Sequence, residues 1–318
     1  MIILIGGKRA NMEKLPIISV IIPSHREVFL RRAVESVLKQ TIDKDSYEII
    51  VIKDYLNQAI DEFLTINGVR TLYTEEKGVF PKAILGIKSS FGKILCFLDD
   101  DDQFVSSKLS CVLSLFANDT DLVYLHNNFI PMNSSSDRLK FKNSDYDFNS
   151  SCISIRKDII NFDKIDDLKA LIDTFYYLSA IESNKKVLII RKKLTIYNIG
   201  NSVTNSIGSD LPEIQVKRSD LYIRADLAVN LMLEKFKNEL TIKKLQAYKV
   251  QLEINRYFLN LKSSGFPQLV LFLRYASKPI TRRVLVCVVY LFAKALTIIG
   301  FNLNKILLKM QIIHYYNQ

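Results

Sequence analysis

The sequence predicts an α/β protein built on a doubly wound sheet with helices on both faces, followed by a helical C-terminal arm. Three observations carry this expectation. Short apolar runs alternate with segments of helical periodicity through the first third of the chain. One such run, the "KILCFL" ending at Leu98, leads directly into four consecutive aspartates, Asp99–Asp102. After Leu240, by contrast, twelve Lys/Arg face a single acid, Glu253, so this segment carries the whole net charge of +11 and leaves a near-neutral body before it.

The elements come in order along the chain. "IISVIIPSH" (Ile17–His25) is an apolar run closed by Pro and Ser, a first buried strand. "EVFLRRAVESVLKQT" places Phe29, Leu30, Ala33, Val34, Val37 and Leu38 at helical spacing. "YEIIVIKDY" is the second strand, "LNQAIDEFLTI" a shorter helix, "VRTLYTEE" the third strand, and "FPKAILGIKSSF" a helix with Pro81 near its start. "KILCFL" is the next strand and "DLVYLHNNFI" another. Residues 131–151, rich in Ser, Asn and Asp, read as a loop or lid. "SCISIRKDII" gives a short strand and turn, Asp166–Asn184 a helix, and "KKVLIIRKKLTIYNI" closing strands. Residues 219–261 read as one amphipathic helical stretch.

Composition bounds the possibilities. With 318 residues, 48% hydrophobic and 24% charged, the chain is globular and not disordered. Its expected division is an N-terminal extension at 1–15, an α/β domain at 16–215 and a helical region at 216–318. Cys96, Cys111, Cys152 and Cys287 are scattered without a CxxC pair, which points to reduced thiols in a cytosolic setting and no zinc site. The opening apolar run is too short for a signal peptide, and no internal repeat is present.

Four adjacent carboxylates raise one another's pKa unless a cation relieves them. An isolated acidic run is a solvated turn. This one comes directly after a buried strand, and the carboxyl end of such a strand is where open α/β sheets bind ligands. Oxygen ligands suit a hard cation, Mg²⁺ or Mn²⁺. The chain has no G-x-G-x-x-G after its first strand and no G-x-x-x-x-G-K-[ST], so neither a dinucleotide site nor a P-loop is expected.

Over residues 17–205 the motifs together resemble the family 2 glycosyltransferases of the GT-A fold, a mixed, doubly wound sheet with helices on both faces. "ESVLKQT" matches the family's first helix, "CFLDDDDQF" its Asp-x-Asp motif, and "LIDTFYYLSAI" the helix start that supplies its base. The resemblance implies an inverting, metal-dependent transfer of one sugar from a UDP- or GDP-sugar to a glycan or lipid-linked acceptor. It implies a cation on Asp99, Asp101 and Asp102, with Asp101 as the direct ligand and Asp99 and Asp100 also facing the donor. Asp173 would be the base, with Glu182, Asp166 and Asp167 as fallbacks. Pro23, Ser24, His25 and Glu27 would border the nucleoside, Asp54 would accept a hydrogen bond from the base, and Lys82 would face the diphosphate or stand in solvent.

The sequence departs from the family in three places. Lys53-Asp54-Tyr55 replaces an acid pair ended by Gly, "KAILGI" replaces Ala-Arg-Asn, and "YNIGNSVTN" lacks a histidine. The chain has no Trp, so the Gln-x-x-Arg-Trp motif of processive members is absent and single-sugar transfer is implied. The alternatives are a nucleotidyltransferase, against which "PSHREV" lacks a glycine-rich loop, and a catalytically silent membrane-bound scaffold of the same fold.

In the arm, Val284–Phe301 contains one charge, Lys294, in eighteen residues. Arg283, Lys294 and Lys305 fall on one stripe of a helix. A wide apolar face with a thin basic stripe suits a helix lying in a membrane interface, its cations on anionic headgroups. Packing on the body and a true span are the other possibilities. The expected location is therefore the inner face of the cell membrane, with residues 266–318 docking. Nucleic acid is not expected, because the arm lacks an aromatic stacking ladder.

Overall fold

The structure is a computed structural model, which describes residues 3–4, 15–132, 149–198, 211–258, 269–275 and 280–298. The chain forms two units, one ending at Ser206 and the other starting its main run at Ile207.

In the first unit, strand β1 (Ile3–Leu4) precedes β2 (Ile18–Ser24), whose seven residues are all buried. Helix α1 (Glu27–Leu38) buries the predicted stripe of Leu30, Ala33, Val34 and Val37. Next come β3 (Tyr47–Lys53), α2 (Gln58–Ile66), β4 (Arg70–Tyr73), α3 (Val79–Ser89) and β5 (Ile94–Phe97). Asn57 caps α2, its Oδ1 accepting from Ile60 N–H at 3.0 Å. Beyond the aspartates lie β6 (Gln103–Phe104), α4 (Lys108–Asn118), β7 (Leu122–Met132) and β8 (Ile153–Arg156). The short α5 (Phe162–Ile165), then α6 (Ile172–Glu182) and β9 (Lys186–Asn198), complete the unit.

Among the described residues nine strands form one sheet, ordered β1-β4-β3-β2-β5-β8-β7-β9-β6. β4, β3, β2 and β5 run parallel, as the strand–helix alternation predicts. β8 then inserts antiparallel between β5 and β7. The sheet is thus mixed, and the turns after its parallel strands β2, β3 and β5 open on one edge. Two glycines allow close approach: a Cβ on Gly86 would meet Ile21 Cγ2 at 2.5 Å, and one on Gly92 would meet Ser19 N at 2.5 Å.

Several expectations change. Ile3 and Leu4 lie opposite Tyr73 and Leu72, so part of the N-terminal extension pairs as an edge strand instead of hanging free. α4 has no counterpart among the expected elements, although Leu109, Val112 and Phe116 bury one helical face. The helix expected from Asp166 begins at Ile172, after α5. Most of the expected lid, residues 133–148, lies outside the described residues.

The second unit holds α7 (Leu211–Lys235), α8 (Glu239–Phe258), α9 (Leu269–Tyr275) and α10 (Ile280–Ile298). The single helical stretch expected over 219–261 is broken at residues 236–238. Asn238 Oδ1 there accepts from Leu240 N–H at 2.9 Å and starts a new helix. Val250 and Ile254 of α8 pack with Cys287 and Tyr290 of α10. Arg283 donates to the Leu273 carbonyl, and Lys294 stands 5.2 Å from the Tyr257 ring centroid. The described part of the basic stripe therefore faces α8 and α9. The opposite face of α10 exposes Ile280, Val284, Leu285, Val288, Leu291 and Phe292. Among the described residues no helix is long and apolar enough to cross a membrane.

Candidate active site

The site is assembled by three strand ends. The parallel pairing of β2 with β5 sets Ile21 opposite Phe97, which brings the turn after β2 alongside the aspartates. The "ESVLKQT" helix fixes the segment just beyond them. Ser36 Oγ accepts from Phe104 N–H at 3.0 Å. Gln40 donates to the Val105 carbonyl at 2.9 Å and accepts from Leu109 N–H at 2.8 Å, and Thr41 N–H donates to the Ser106 carbonyl at 3.0 Å. These contacts are made to backbone, so they hold the turn's shape regardless of the residues in it.

Asp100 is an anchor. It is 1% exposed, and its Oδ2 accepts from His25 N–H and Arg26 N–H, both at 3.0 Å, and from Ser24 Oγ at 3.2 Å. Its Oδ1 accepts from Arg26 Nε at 3.1 Å and Nη2 at 2.5 Å. Arg26 Nη2 also lies 3.0 Å from Asp101 Oδ2. Ser24 Oγ meets the Tyr55 hydroxyl at 2.8 Å; burial pushes that phenol up to about 12. Burial lowers the His25 pKa against the pull of Asp100, whose Oδ2 is 3.7 Å from Nδ1. Pro23 is buried as the penultimate residue of β2, and the exposed Glu27 accepts from Asn57 Nδ2 at 2.7 Å.

Across β3, Lys82 is fully buried and its Nζ lies 2.8 Å from Asp54 Oδ1, so it is not a lysine standing in solvent. Burial raises the Asp54 pKa, but Lys82 and Lys77 more than offset this and hold the carboxyl below its ordinary range. The buried Lys53 reaches Asp61 Oδ1 and the Tyr55 carbonyl, each at 2.7 Å.

The other side of the turn is crowded with like charge. Burial raises the Asp99 pKa well above the ordinary carboxylate range, and Asp102, Asp173, Asp101 and Asp100 add to it. Burial, then Asp101, pushes Asp102 up to about 7, although its Oδ1 accepts from Asn198 N–H at 2.9 Å. Burial also raises Asp101, against the relief that Arg26 gives. Asp173, in the first turn of α6, accepts from Ser150 Oγ, and Tyr176 of the same helix stacks on Phe97 of β5 at 4.3 Å. The buried hydroxyls of Tyr124 and Tyr176 and the Oδ1 of Asn198 have no hydrogen-bond partner among the described residues. Beneath, the buried Lys108 donates to the Ser151 carbonyl at 2.5 Å and to Thr195 Oγ1 at 3.1 Å.

The fold thus brings Asp99–Asp102, Asp173, Ser24 and His25 to one edge, with the Asp54–Lys82 pair at the neighbouring strand end. The fallback acids stand elsewhere: Asp166 pairs with Lys88 at 2.6 Å, and Glu182 lies 3.8 Å from Lys164. Sequence reasoning misses Arg26, although it is the one Lys or Arg in the segment 17–30 that faces the acidic run. The donor set has the hard-oxygen chemistry of a Mg²⁺ or Mn²⁺ site. Among the described residues no three His, Cys, Asp or Glu side chains converge to enclose an ion.

The architecture is a GT-A-type α/β fold with a mixed sheet. Residues 19–174 match the family model "Glycosyl transferase family 2". An uncharacterized glycosyltransferase of Rickettsia bellii (strain RML369-C) is 34% identical over 117 residues, and one of Rickettsia felis (strain ATCC VR-1525 / URRWXCal2) is 34% identical over 121. Those matches take in 35% and 36% of this chain, and only 16% and 20% of the relatives' length. In fold, the chain is similar to S. aureus TarS 1-349 solved with UDP-GlcNAc. The TM-score is 0.59 at 17% identity, over 77% of this chain and 76% of that one. The TarS structure with UDP gives a TM-score of 0.55 at 17% identity, over 77% and 75%.

Proposed function

We propose that the chain is an inverting glycosyltransferase that moves one sugar from a nucleotide-sugar to a glycan or lipid-linked acceptor. The observation that carries this reading is that adjacent serines tie Asp173 to the aspartate turn: Ser150 Oγ donates to Asp173, and Ser151 Oγ accepts from Asp99 N–H at 3.0 Å. Inversion asks for one carboxylate to take the acceptor's proton as its oxygen attacks the anomeric carbon. Asp173 would do so, with Ser150 fixing its orientation. Pro23, Ser24 and His25 would border the nucleoside, and the Asp54–Lys82 pair would present one polar edge to the base. TarS, the neighbour in fold, was solved with UDP-GlcNAc and with UDP, which makes a UDP-sugar the first donor to try. A Mn²⁺ or Mg²⁺ ion held by Asp101 and Asp99 would supply charge neutralisation for the departing diphosphate.

The exposed apolar face of α10 supports docking on a membrane surface, and the excess of twelve Lys/Arg over one acid after Leu240 favours an anionic one. Since Arg283 and Lys294 turn inward, the insertion would be led by the apolar face and not by those cations. A cytosolic setting at the inner membrane face fits this reading and the reduced cysteines. Loss of liposome flotation on replacing Leu285 and Phe292 with Ser would support docking; unchanged flotation would contradict it.

The test of activity is turnover of a UDP- and GDP-sugar panel with Mn²⁺ and glycan or lipid-linked acceptors. Transfer with an inverted anomeric centre, read by proton NMR, is the expected result. A retained configuration, or nucleotidyl transfer in its place, would refute the reading.

A further inference from the structure

The acidic turn already holds a cation of its own. Arg26 Nη2 lies 2.5 Å from Asp100 Oδ1 and 3.0 Å from Asp101 Oδ2, so one guanidinium bridges two neighbouring carboxylates. The two contacts are not equivalent. Asp100 is saturated by five donors and 1% exposed, so it is committed to the scaffold. Asp101 takes from Arg26 one contact, from the same Nη2 that holds Asp100 Oδ1, so a turn of the Asp101 side chain gives it up and leaves that anchor in place. The Arg26 side chain keeps 21% exposure and lies 5.3 Å from the Phe29 ring centroid, a second surface on which a guanidinium can rest.

From this geometry we propose that Arg26 is a positioning residue that competes with the divalent cation for Asp101. The proposal rests on the transferase reading of the site. The guanidinium holds Asp101 in place while no donor is bound, and the ion loads by drawing Asp101 Oδ2 off Nη2, which stays on Asp100. Arginine stays protonated at any working pH, so displacement, and not proton loss, is what frees the carboxylate. The donor's diphosphate then adds oxygens that favour the ion, so metal and donor bind with positive coupling.

Calorimetric titration of the full chain with MnCl₂, without nucleotide, tests this. Arg26→Gln should bind Mn²⁺ about tenfold more tightly than the unmodified chain, a change equivalent to about 1.4 kcal/mol. Asp101→Asn should lose that binding. Equal or weaker binding by Arg26→Gln overturns the proposal. Because Arg26 also ties Asp100, that variant could fail to fold, and a second measurement uses the unmodified chain. The Arg26 Nε–Hε resonance, assigned by its absence in Arg26→Lys, should shift during a MgCl₂ titration with the midpoint of metal binding. A resonance that stays fixed while Mg²⁺ binds, or the absence of any Mg²⁺ or Mn²⁺ binding, overturns the proposal. UDP binding and sugar transfer measured separately decide the transferase reading, which survives if both persist while the competition fails.

Discussion

The two flanks of the aspartate turn are built on opposite principles. Toward β2 and β3, charges meet opposite partners: Asp100 with Arg26, Asp54 with Lys82, Lys53 with Asp61. Toward β5, β8 and β9, Asp102 and Asp173 both act on Asp99 as like charges, and the Tyr124 and Tyr176 hydroxyls lack partners among the described residues. Paired charges hold geometry. Like charges raised by burial store repulsion that a cation and a polar substrate can relieve. On the proposed reading the first flank is scaffold and the second carries the base, Asp173.

The contrast can be broken from either side. The largest effect is expected at Asp173→Asn on the crowded flank. It should cut transfer by about 10²–10⁴-fold while donor affinity is kept, the signature of a lost proton acceptor. A matched loss of donor binding would move Asp173 to the scaffold. On the paired flank, Asp100→Ala takes from the Arg26 guanidinium one of its two carboxylates and leaves two backbone N–H groups without their acceptor. Chemical denaturation should show a loss of about 3–5 kcal/mol.

Lys108 sharpens the comparison, since it is a cation buried beneath the crowded flank. Burial lowers its pKa from 10.5 to about 8. Between these values the unfolded chain binds the proton and the folded chain does not, so stability rises with pH across that window. Relative to Lys108→Met, the unmodified chain should gain about 3 kcal/mol from pH 8 to pH 10.5. Parallel pH profiles would show that the ammonium is not desolvated. The smallest effect is expected at Ser36→Ala, which removes the acceptor for Phe104 N–H and should cost about 1–2 kcal/mol in unfolding free energy.

The parallel half of the sheet was legible because local pattern encodes it: β2 and β5 are short, mostly apolar and fully buried runs, and α1 and α2 carry one buried stripe each. The insertion of β8 between β5 and β7 was not, because antiparallel pairing over so long a separation leaves no mark in local pattern. α4 was visible in principle, with Leu109, Val112 and Phe116 at helical spacing. The inward turn of Arg283 and Lys294 was hidden, since helical periodicity gives a stripe but not which neighbour it meets. In the site, residue types were readable and partners were not. That Arg26 takes Asp100 and reaches Asp101 depends on the register of β2 against β5. That Lys82 meets Asp54 depends on the way α3 lies against β3.

The central claim is that the aspartate turn holds a donor's diphosphate through a divalent cation. Titrating UDP into the chain with and without Mn²⁺, and into Asp101→Asn, tests it most directly. The account predicts binding that needs Mn²⁺ and disappears in Asp101→Asn with the fold intact. UDP binding of equal strength in all three samples would contradict it.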